Sequence, residues 1–101
     1  MPSAFHVSAE AQRDLIEIWR HIAEDSVDLA DRIDGEFDEL FAALGRMPGL
    51  GHSRKELTKR PLLFFPMYSF LVVYRRDVRP IRIIAVLRGS RNVKRILKDR
   101  L

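Results

Sequence analysis

The sequence predicts an α+β domain in which a helical hairpin packs on a small antiparallel sheet, in the order β-α-α-β-β-β with a possible short C-terminal helix. Apolar residues recur at helical spacing in the first half. The second half changes to runs rich in β-branched and aromatic residues, and Gly and Pro mark the boundaries between elements. A chain of 101 residues has the size of one domain, so we expect a single domain over residues 1–101.

A short strand and a helix are predicted at the start of the chain. Phe5–Val7 is a brief apolar stretch, and Ser8 is a suitable N-cap for a helix that reaches about Glu24. The apolar stripe of this helix contains Ala11, Leu15, Ile18, Trp19 and Ile22. Asp14 is among the polar residues that we assign to its other faces.

A second helix follows after a very short link, which predicts an antiparallel helical hairpin. Ser26 or Asp28 can cap it, and its apolar stripe contains Ala30, Ile33, Phe37, Leu40, Phe41 and Leu44. Gly45 is expected to end the helix in the left-handed conformation. The outer side of the helix is acidic.

Three strands are predicted after a loop at residues 47–53. The first is Leu62–Phe65 and the second is Met67–Tyr74, with Pro66 at a break or on an edge because it lacks an amide hydrogen. A turn at residues 76–80 leads to the third strand, Ile81–Leu87. After this strand Asn92 can cap a short basic helix.

The predicted strands carry apolar side chains on both faces. Phe70, Val72 and Tyr74 point one way and Leu71 and Val73 the other. Strict alternation along the last strand likewise sets Ile81, Ile83, Ala85 and Leu87 against Ile84 and Val86. Two helices can cover only one face, so we expect the terminal helix or another chain to cover the second.

Composition narrows the class of function. The chain has no cysteine, which excludes disulfides and thiolate metal sites, and its three histidines have no ligand spacing, so we expect no metal and no cofactor. The N-terminus has no signal-peptide pattern and no apolar run is long enough to span a bilayer. We therefore expect a cytoplasmic protein with no membrane partner.

Charge is divided unequally along the chain. Residues 1–45 contain eleven acidic residues and three Lys or Arg, whereas residues 46–101 contain three acidic residues and fifteen Lys or Arg. Such asymmetry favours an acidic or polyanionic partner for the second half. The predicted target-binding patch is Arg75, Arg88, Arg91, Lys94 and Arg95. The alternative is a solvated basic face, or ion pairs with the acidic helices.

Four stretches, in the same order along the chain, resemble the ParE/RelE toxin superfamily. They are Asp14–Ala23, Met47–Gly51, Phe70–Arg75 and Ile83–Arg91. The resemblance implies the toxin of a type II toxin–antitoxin system, of the kind associated with plasmid stabilisation. ParE-type relatives inhibit DNA gyrase, and RelE-type relatives cut messenger RNA on the ribosome.

The ribonuclease branch of the superfamily carries several cations that this chain lacks. Of the family positions, only Arg91 matches well, since Leu71 stands in place of an in-strand arginine and residues 62–65 are apolar where lysines would alternate. One arginine cannot supply the barrier reduction of a nuclease. We therefore predict a non-enzymatic, ParE-type gyrase inhibitor with no catalytic residues. The alternatives are a RelE-like, ribosome-dependent endoribonuclease and a non-toxic co-repressor that only binds its antitoxin.

The resemblance also implies an antitoxin. We expect a ParD-like protein, with a ribbon-helix-helix domain and an acidic amphipathic tail, to cover apolar and basic surface together. The predicted apolar anchors are Leu50, Phe64, Phe65 and Met67, which alternatively belong to the core. We expect no direct nucleic-acid binding by the chain alone.

Overall fold

The order of elements is the predicted one. A computed structural model describes residues 4–89 and 92–100 of the chain. The elements are β1 (Phe5–Val7), α1 (Ala9–Ala23), α2 (Val27–Arg46), a 3-10 turn (Pro48–Leu50), β2 (Leu62–Met67), β3 (Phe70–Arg75), β4 (Ile81–Arg88) and α3 (Val93–Arg100). The predicted α+β class, the helical hairpin and the C-terminal helix are confirmed.

Serine side chains cap both helices of the hairpin. The Ser8 hydroxyl accepts a hydrogen bond from the Ala11 amide, and the Ser26 hydroxyl accepts one from the Leu29 amide, each at 3.1 Å. Ser26, and not Asp28, is therefore the cap of α2. None of the helices in the described residues is both long enough and apolar enough to cross a bilayer.

Within the described residues the sheet has four strands, in the order β1-β4-β3-β2. β2, β3 and β4 are antiparallel neighbours, as predicted, whereas β1 pairs with β4 in parallel, so the sheet is mixed. The parallel pairing follows from the path of the chain, because β1 leads directly into the helical hairpin, which lies on one face before the chain returns to the sheet.

β2 extends through Pro66, and the predicted strand start at Met67 is wrong. The break falls instead at Tyr68 and Ser69, where Tyr68 has a φ of 56°. Pro66 lies on the edge strand, where its missing amide hydrogen costs no ladder hydrogen bond. On the same edge, the backbones of His52 and Phe64 exchange two hydrogen bonds of 2.8 Å.

The prediction that Gly45 ends α2 in the left-handed conformation is wrong. It lies inside the helix, and no glycine in residues 4–89 or 92–100 has a positive φ. A Cβ at Gly45 would lie 2.5 Å from the Cβ of Ala4 and 2.8 Å from its carbonyl oxygen. Close approach of the chain before β1 therefore explains this glycine.

The face of the sheet that contacts α1 and α2 holds the larger core. Its buried members include Ile18, Phe37, Phe41, Leu44, Val72, Tyr74, Ile81, Ile83 and Val86. The predicted strict alternation along β4 is wrong, because a register shift places Tyr74 opposite Ile83 and Val73 opposite Ala85. Ile84 is the extra residue of this bulge, so Ile84 and Ala85 both belong to the second face.

The second face is covered by the chain itself. Val93 and Leu97 of α3 pack there with the buried side chains of Leu62, Phe64, Leu71, Val73, Ile84, Ala85 and Leu87. Of the two covers that the sequence predicts for this face, the terminal helix is therefore the one that the structure shows.

Asp14 is buried, although the sequence placed it on an outer face. It is 7% exposed and accepts a hydrogen bond from the Val86 amide at 2.9 Å. The guanidinium of Arg100, at the end of α3, binds the same carboxylate. Asp14 thereby connects α1, β4 and α3.

Candidate functional site, a basic groove at one end of the sheet

A groove of about 720 Å³ opens where the turn between β2 and β3 meets the start of α3. We call it the basic groove. It is lined by Arg54, Leu57, Pro66, Tyr68, Ser69, Phe70, Leu71, Arg88, Gly89, Asn92, Val93 and Lys94. These described lining residues include three cations and no carboxylate, so the groove favours an anionic ligand or surface.

Arg88 and Lys94 are placed by the ends of secondary-structure elements. Arg88 is the last residue of β4 and pairs in register with Phe70. The amide of Gly89 donates to the Ser69 carbonyl at 3.0 Å, which fixes the chain just beyond this pair. Lys94 lies in the first turn of α3, and the side chain of Asn92 caps that turn by accepting from the Arg95 amide.

Arg54 comes from the long loop before β2. Its Nε donates to Oε1 of Glu56 at 2.8 Å. This hydrogen bond lowers the pKa of Glu56, and the positive charge of Lys94 acts in the same direction. Glu56 is thus held ionised beside the basic groove and partly offsets the charge of Arg54, while Arg88 and Lys94 form no salt bridge within residues 4–89 and 92–100.

Tyr68 is the phenol of the basic groove. Its side chain is 64% exposed, and its hydroxyl lies 2.8 and 2.9 Å from the two carboxylate oxygens of Glu36. Donation of this hydrogen bond raises the pKa of Tyr68 above its usual value near 10. A phenol with a raised pKa stays protonated at neutral pH and is a poor general base.

The predicted target-binding patch divides between two places. Arg88 and Lys94 line the basic groove, and Arg95 is exposed on α3 outside the lining. Arg75 lies at the opposite end of the β3–β4 pair, five residues along the strand from Phe70, which corresponds to roughly 17 Å. There its guanidinium binds Asp77 at 2.9 and 3.1 Å. Arg91 lies outside the described residues.

The predicted antitoxin anchors also divide. Phe64 is 1% exposed and packs in the core of the second face, which is the alternative that the sequence left open. Phe65 and Met67 are half-buried on the helix side of the edge strand β2. Leu50 is 37% exposed in the 3-10 turn, two residues before the bridge of His52 to that strand. Binding of an antitoxin at these residues stays a prediction.

Sequence reasoning did not find Arg54, which appeared to be an ordinary loop residue. The signal that could have indicated it is a local concentration of charge, since residues 54–60 contain four Lys or Arg in seven positions.

The positions where the ribonuclease branch carries cations are occupied by buried apolar side chains. Leu71 is 8% exposed and Leu62 is 2% exposed.

The chain is thus a small α+β protein with a cationic groove beside α3. A family model described as "ParE toxin of type II toxin-antitoxin system, parDE" matches residues 5–93. The chain therefore belongs to the ParE toxin family of type II toxin–antitoxin systems.

A solved structure supports the fold. The chain is similar to a protein of a structure titled "Chromosomal ParDE TA system from P. aeruginosa", with a TM-score of 0.68 and 18% sequence identity. The similarity covers 83% of this chain and 92% of the other. No curated protein gives a significant match by comparison of sequences.

Proposed function

We propose that this ParE-family toxin inhibits DNA gyrase by binding the enzyme as a protein, through the basic groove and the adjacent exposed side of α3. The observation that carries the proposal is the group of Arg88 and Lys94 at the groove, with no carboxylate among its described lining residues. Arg95 extends the cationic surface along α3. Such a surface complements an acidic region of a partner protein.

The chemistry of the groove favours binding over phosphodiester cleavage. Transfer of the 2′-hydroxyl proton would need a base whose pKa lies near the working pH. Tyr68 does not meet this requirement, since its hydroxyl is bound to Glu36 and its pKa is raised. The described lining residues offer no histidine or carboxylate for the task.

We further propose that a ParD-like antitoxin silences the toxin by covering the strip formed by Leu50, Phe65 and Met67. Phe65 and Met67 lie on the edge strand, and Leu50 lies in the 3-10 turn that precedes the bridge of His52 to that strand. All three side chains remain at least partly exposed. The P. aeruginosa structure that the chain resembles is titled as a ParDE system, which supports a partner of this type. An acidic amphipathic segment would bury the strip and neutralise nearby cations.

The gyrase proposal is tested with purified components. The toxin should inhibit supercoiling and accumulate cleaved DNA in a gyrase assay, and the double variant Arg88→Ala/Lys94→Ala should need about tenfold more protein for the same effect. Arg13→Ala/Arg20→Ala is the matched control, because it removes the same charge from exposed positions on α1. This control should inhibit like the parent chain.

The result that contradicts gyrase inhibition is normal supercoiling and cleavage at saturating toxin. Toeprinting on translating ribosomes would then distinguish the remaining alternatives. Cuts in the A site would identify a RelE-like ribonuclease, and absence of both growth arrest and cuts would identify a non-toxic co-repressor.

The antitoxin proposal is tested by co-expression with the short reading frame adjacent to the toxin gene. That product should restore growth and co-purify with the toxin. Met67→Glu should weaken co-purification, because it puts a carboxylate where the acidic tail is expected. Met47→Glu is the control on the other side of the 3-10 turn, at an equally apolar position that is 61% exposed. If both variants weaken co-purification equally, or if neither variant weakens it, the strip is not the surface that binds the antitoxin.

A further inference from the structure

A second groove, of about 620 Å³, lies between the loop that precedes β2 and the start of the turn between β3 and β4. We call it the loop groove. Its lining consists of Ser53, Arg54, Lys55, Thr58, Lys59, Arg60, Pro61, Leu62, Leu63, Arg76 and Asp77. Five of these residues are cations and one is a carboxylate. The net charge of its lining therefore exceeds that of the basic groove, with which it shares Arg54.

Most of this charge is not neutralised inside the chain. Asp77 binds Arg75, and Glu56 binds Arg54. Within the part of the chain that the structure describes, the cations Lys55, Lys59, Arg60 and Arg76 have no carboxylate within salt-bridge distance. All four are exposed. A ligand that brings carboxylates to this rim gains ion pairs without breaking existing ones.

The loop groove is formed by a loop with its own hydrogen bonds. The Leu57 and Thr58 amides both donate to the Arg54 carbonyl, at 2.9 and 3.2 Å. The Arg60 amide donates to the Thr58 hydroxyl, and the Leu62 amide to the Arg60 carbonyl. These bonds fix the loop before a partner arrives, which lowers the entropic cost of binding.

The floor of the loop groove is apolar. Pro61, which is exposed, and Leu63, which is half-buried, both line it. A phosphate backbone gains nothing from such a floor, whereas a peptide with carboxylates around a leucine or a similar side chain gains from both floor and rim. The volume is within the range of sites that hold a few side chains.

We propose that the loop groove binds an acidic segment of another polypeptide, with an apolar side chain on Pro61 and Leu63 and carboxylates on Lys55, Lys59, Arg60 and Arg76. This site differs from the gyrase and antitoxin surfaces proposed above. It therefore holds or fails independently of them.

The probe for this site is a fluorescein-labelled peptide of ten glutamates with two leucines at its centre. Its binding to the whole chain is measured by fluorescence anisotropy at low and at high salt. We expect Lys59→Ala/Arg60→Ala to weaken the affinity about tenfold at low salt, and the control Arg13→Ala/Arg20→Ala to leave it unchanged. Replacing the two leucines of the peptide by serine should also weaken binding several-fold.

Three results would overturn the proposal. Equal binding of the leucine and serine peptides would mean that the apolar floor is not used. A single-stranded oligo-dT of equal charge that binds as tightly, and loses affinity in Lys59→Ala/Arg60→Ala, would make the groove a nucleic-acid site. Sedimentation of the chain alone would identify a second copy as the occupant, if it revealed self-association that the same variant abolishes.

Discussion

Arg100 and Asp14 form a two-point ion pair, in which Arg100 Nη1 lies 2.6 Å from Asp14 Oδ2 and Arg100 Nη2 lies 2.7 Å from Asp14 Oδ1. The pair joins the last turn of α3 to α1. Hydrogen bonding to Asp14 raises the pKa of the already basic Arg100, so the guanidinium carries its charge at every pH of interest. Because Asp14 is buried, its carboxylate depends on this guanidinium and on the Val86 amide for compensation.

Removal of the guanidinium should therefore destabilise the chain strongly. We expect Arg100→Ala to lower the free energy of unfolding by about 3 kcal/mol, since it leaves a buried charge with one hydrogen bond. Asp99→Ala, at the exposed neighbouring position, should change it by less than about 0.5 kcal/mol. Urea denaturation gives both values. A parent-like midpoint for Arg100→Ala would mean that the pair contributes nothing to stability.

Tyr74 should make the chain sensitive to alkali. Its hydroxyl donates to the Pro48 carbonyl at 2.7 Å and accepts from the Gly51 amide at 2.9 Å, and burial raises its pKa. A pKa raised in the folded state means that stability is intact below about pH 10, the value for the unfolded chain, and is lost as pH rises through the folded pKa.

This alkaline loss is measured as a fall in the free energy of unfolding above about pH 10. The variant Tyr68→Phe leaves Tyr74 as the one tyrosine, so its ionisation can be followed by tyrosinate absorbance. Tyr74→Phe/Tyr68→Phe should lack this part of the alkaline loss. An ionisation midpoint at or below that of free tyrosine would contradict the prediction.

Two glycines of α2 should respond in opposite ways to alanine. Gly35→Ala should stabilise the chain by about 0.5–1 kcal/mol, because the position is exposed, helical and open to a Cβ. Gly45→Ala should destabilise it by about 1–3 kcal/mol, because the new methyl group would collide with Ala4. Thermal unfolding of the two variants side by side tests the pair. Stabilisation by both would mean that the contact with Ala4 is not maintained in solution.

The acidic side of α2 contains a carboxylate that opposes folding. Burial raises the pKa of Asp34, and the charges of Asp38 and Asp31 act in the same direction. A carboxyl whose pKa is higher in the folded chain costs stability at neutral pH, and the cost disappears as pH falls below the unfolded value. Because Asp34 is mostly exposed, the effect is screened and amounts to at most about 0.5 kcal/mol.

Asp34→Asn should therefore raise stability slightly at pH 7 and not at pH 3. Asp28→Asn is the control, since Asp28 lies in the first turn of α2, where a negative charge is favourable. It should lower stability at pH 7 by a similar amount. Urea denaturation in low salt at the two pH values measures both effects, and a gain with both substitutions would indicate a general reduction of negative charge instead.

Local signals in the sequence predicted the helices, their caps and the order of the strands. Ser8 and Ser26 cap α1 and α2 through residues three positions away, which a pattern search can detect. Asp14 could not be found in this way, because its partners Val86 and Arg100 are 72 and 86 residues distant. Asp14 was assigned to the outer face of α1 because its side chain is charged.

Only part of the candidate site could be predicted, because only some of its residues are close to one another in the sequence. Arg88 and Lys94 were identified because they are neighbours in the sequence as well as in space. Arg75 was grouped with them by residue type, although the direction of β3 carries it to the other end of the sheet. Arg54 joins the basic groove through the path of a long loop, which has no periodic signal.

The outer edge of β2 restricts the contacts that a partner can make there. His52 occupies both backbone groups of Phe64 that face outward, and Pro66 has no hydrogen to offer two residues later. A foreign strand cannot continue the ladder across this stretch, so whatever docks there must be recognised by side chains. Selectivity between partners would then depend on a few side chains at this edge. The same blocked edge also hinders pairing with the edge strand of another copy, which is a route to aggregation.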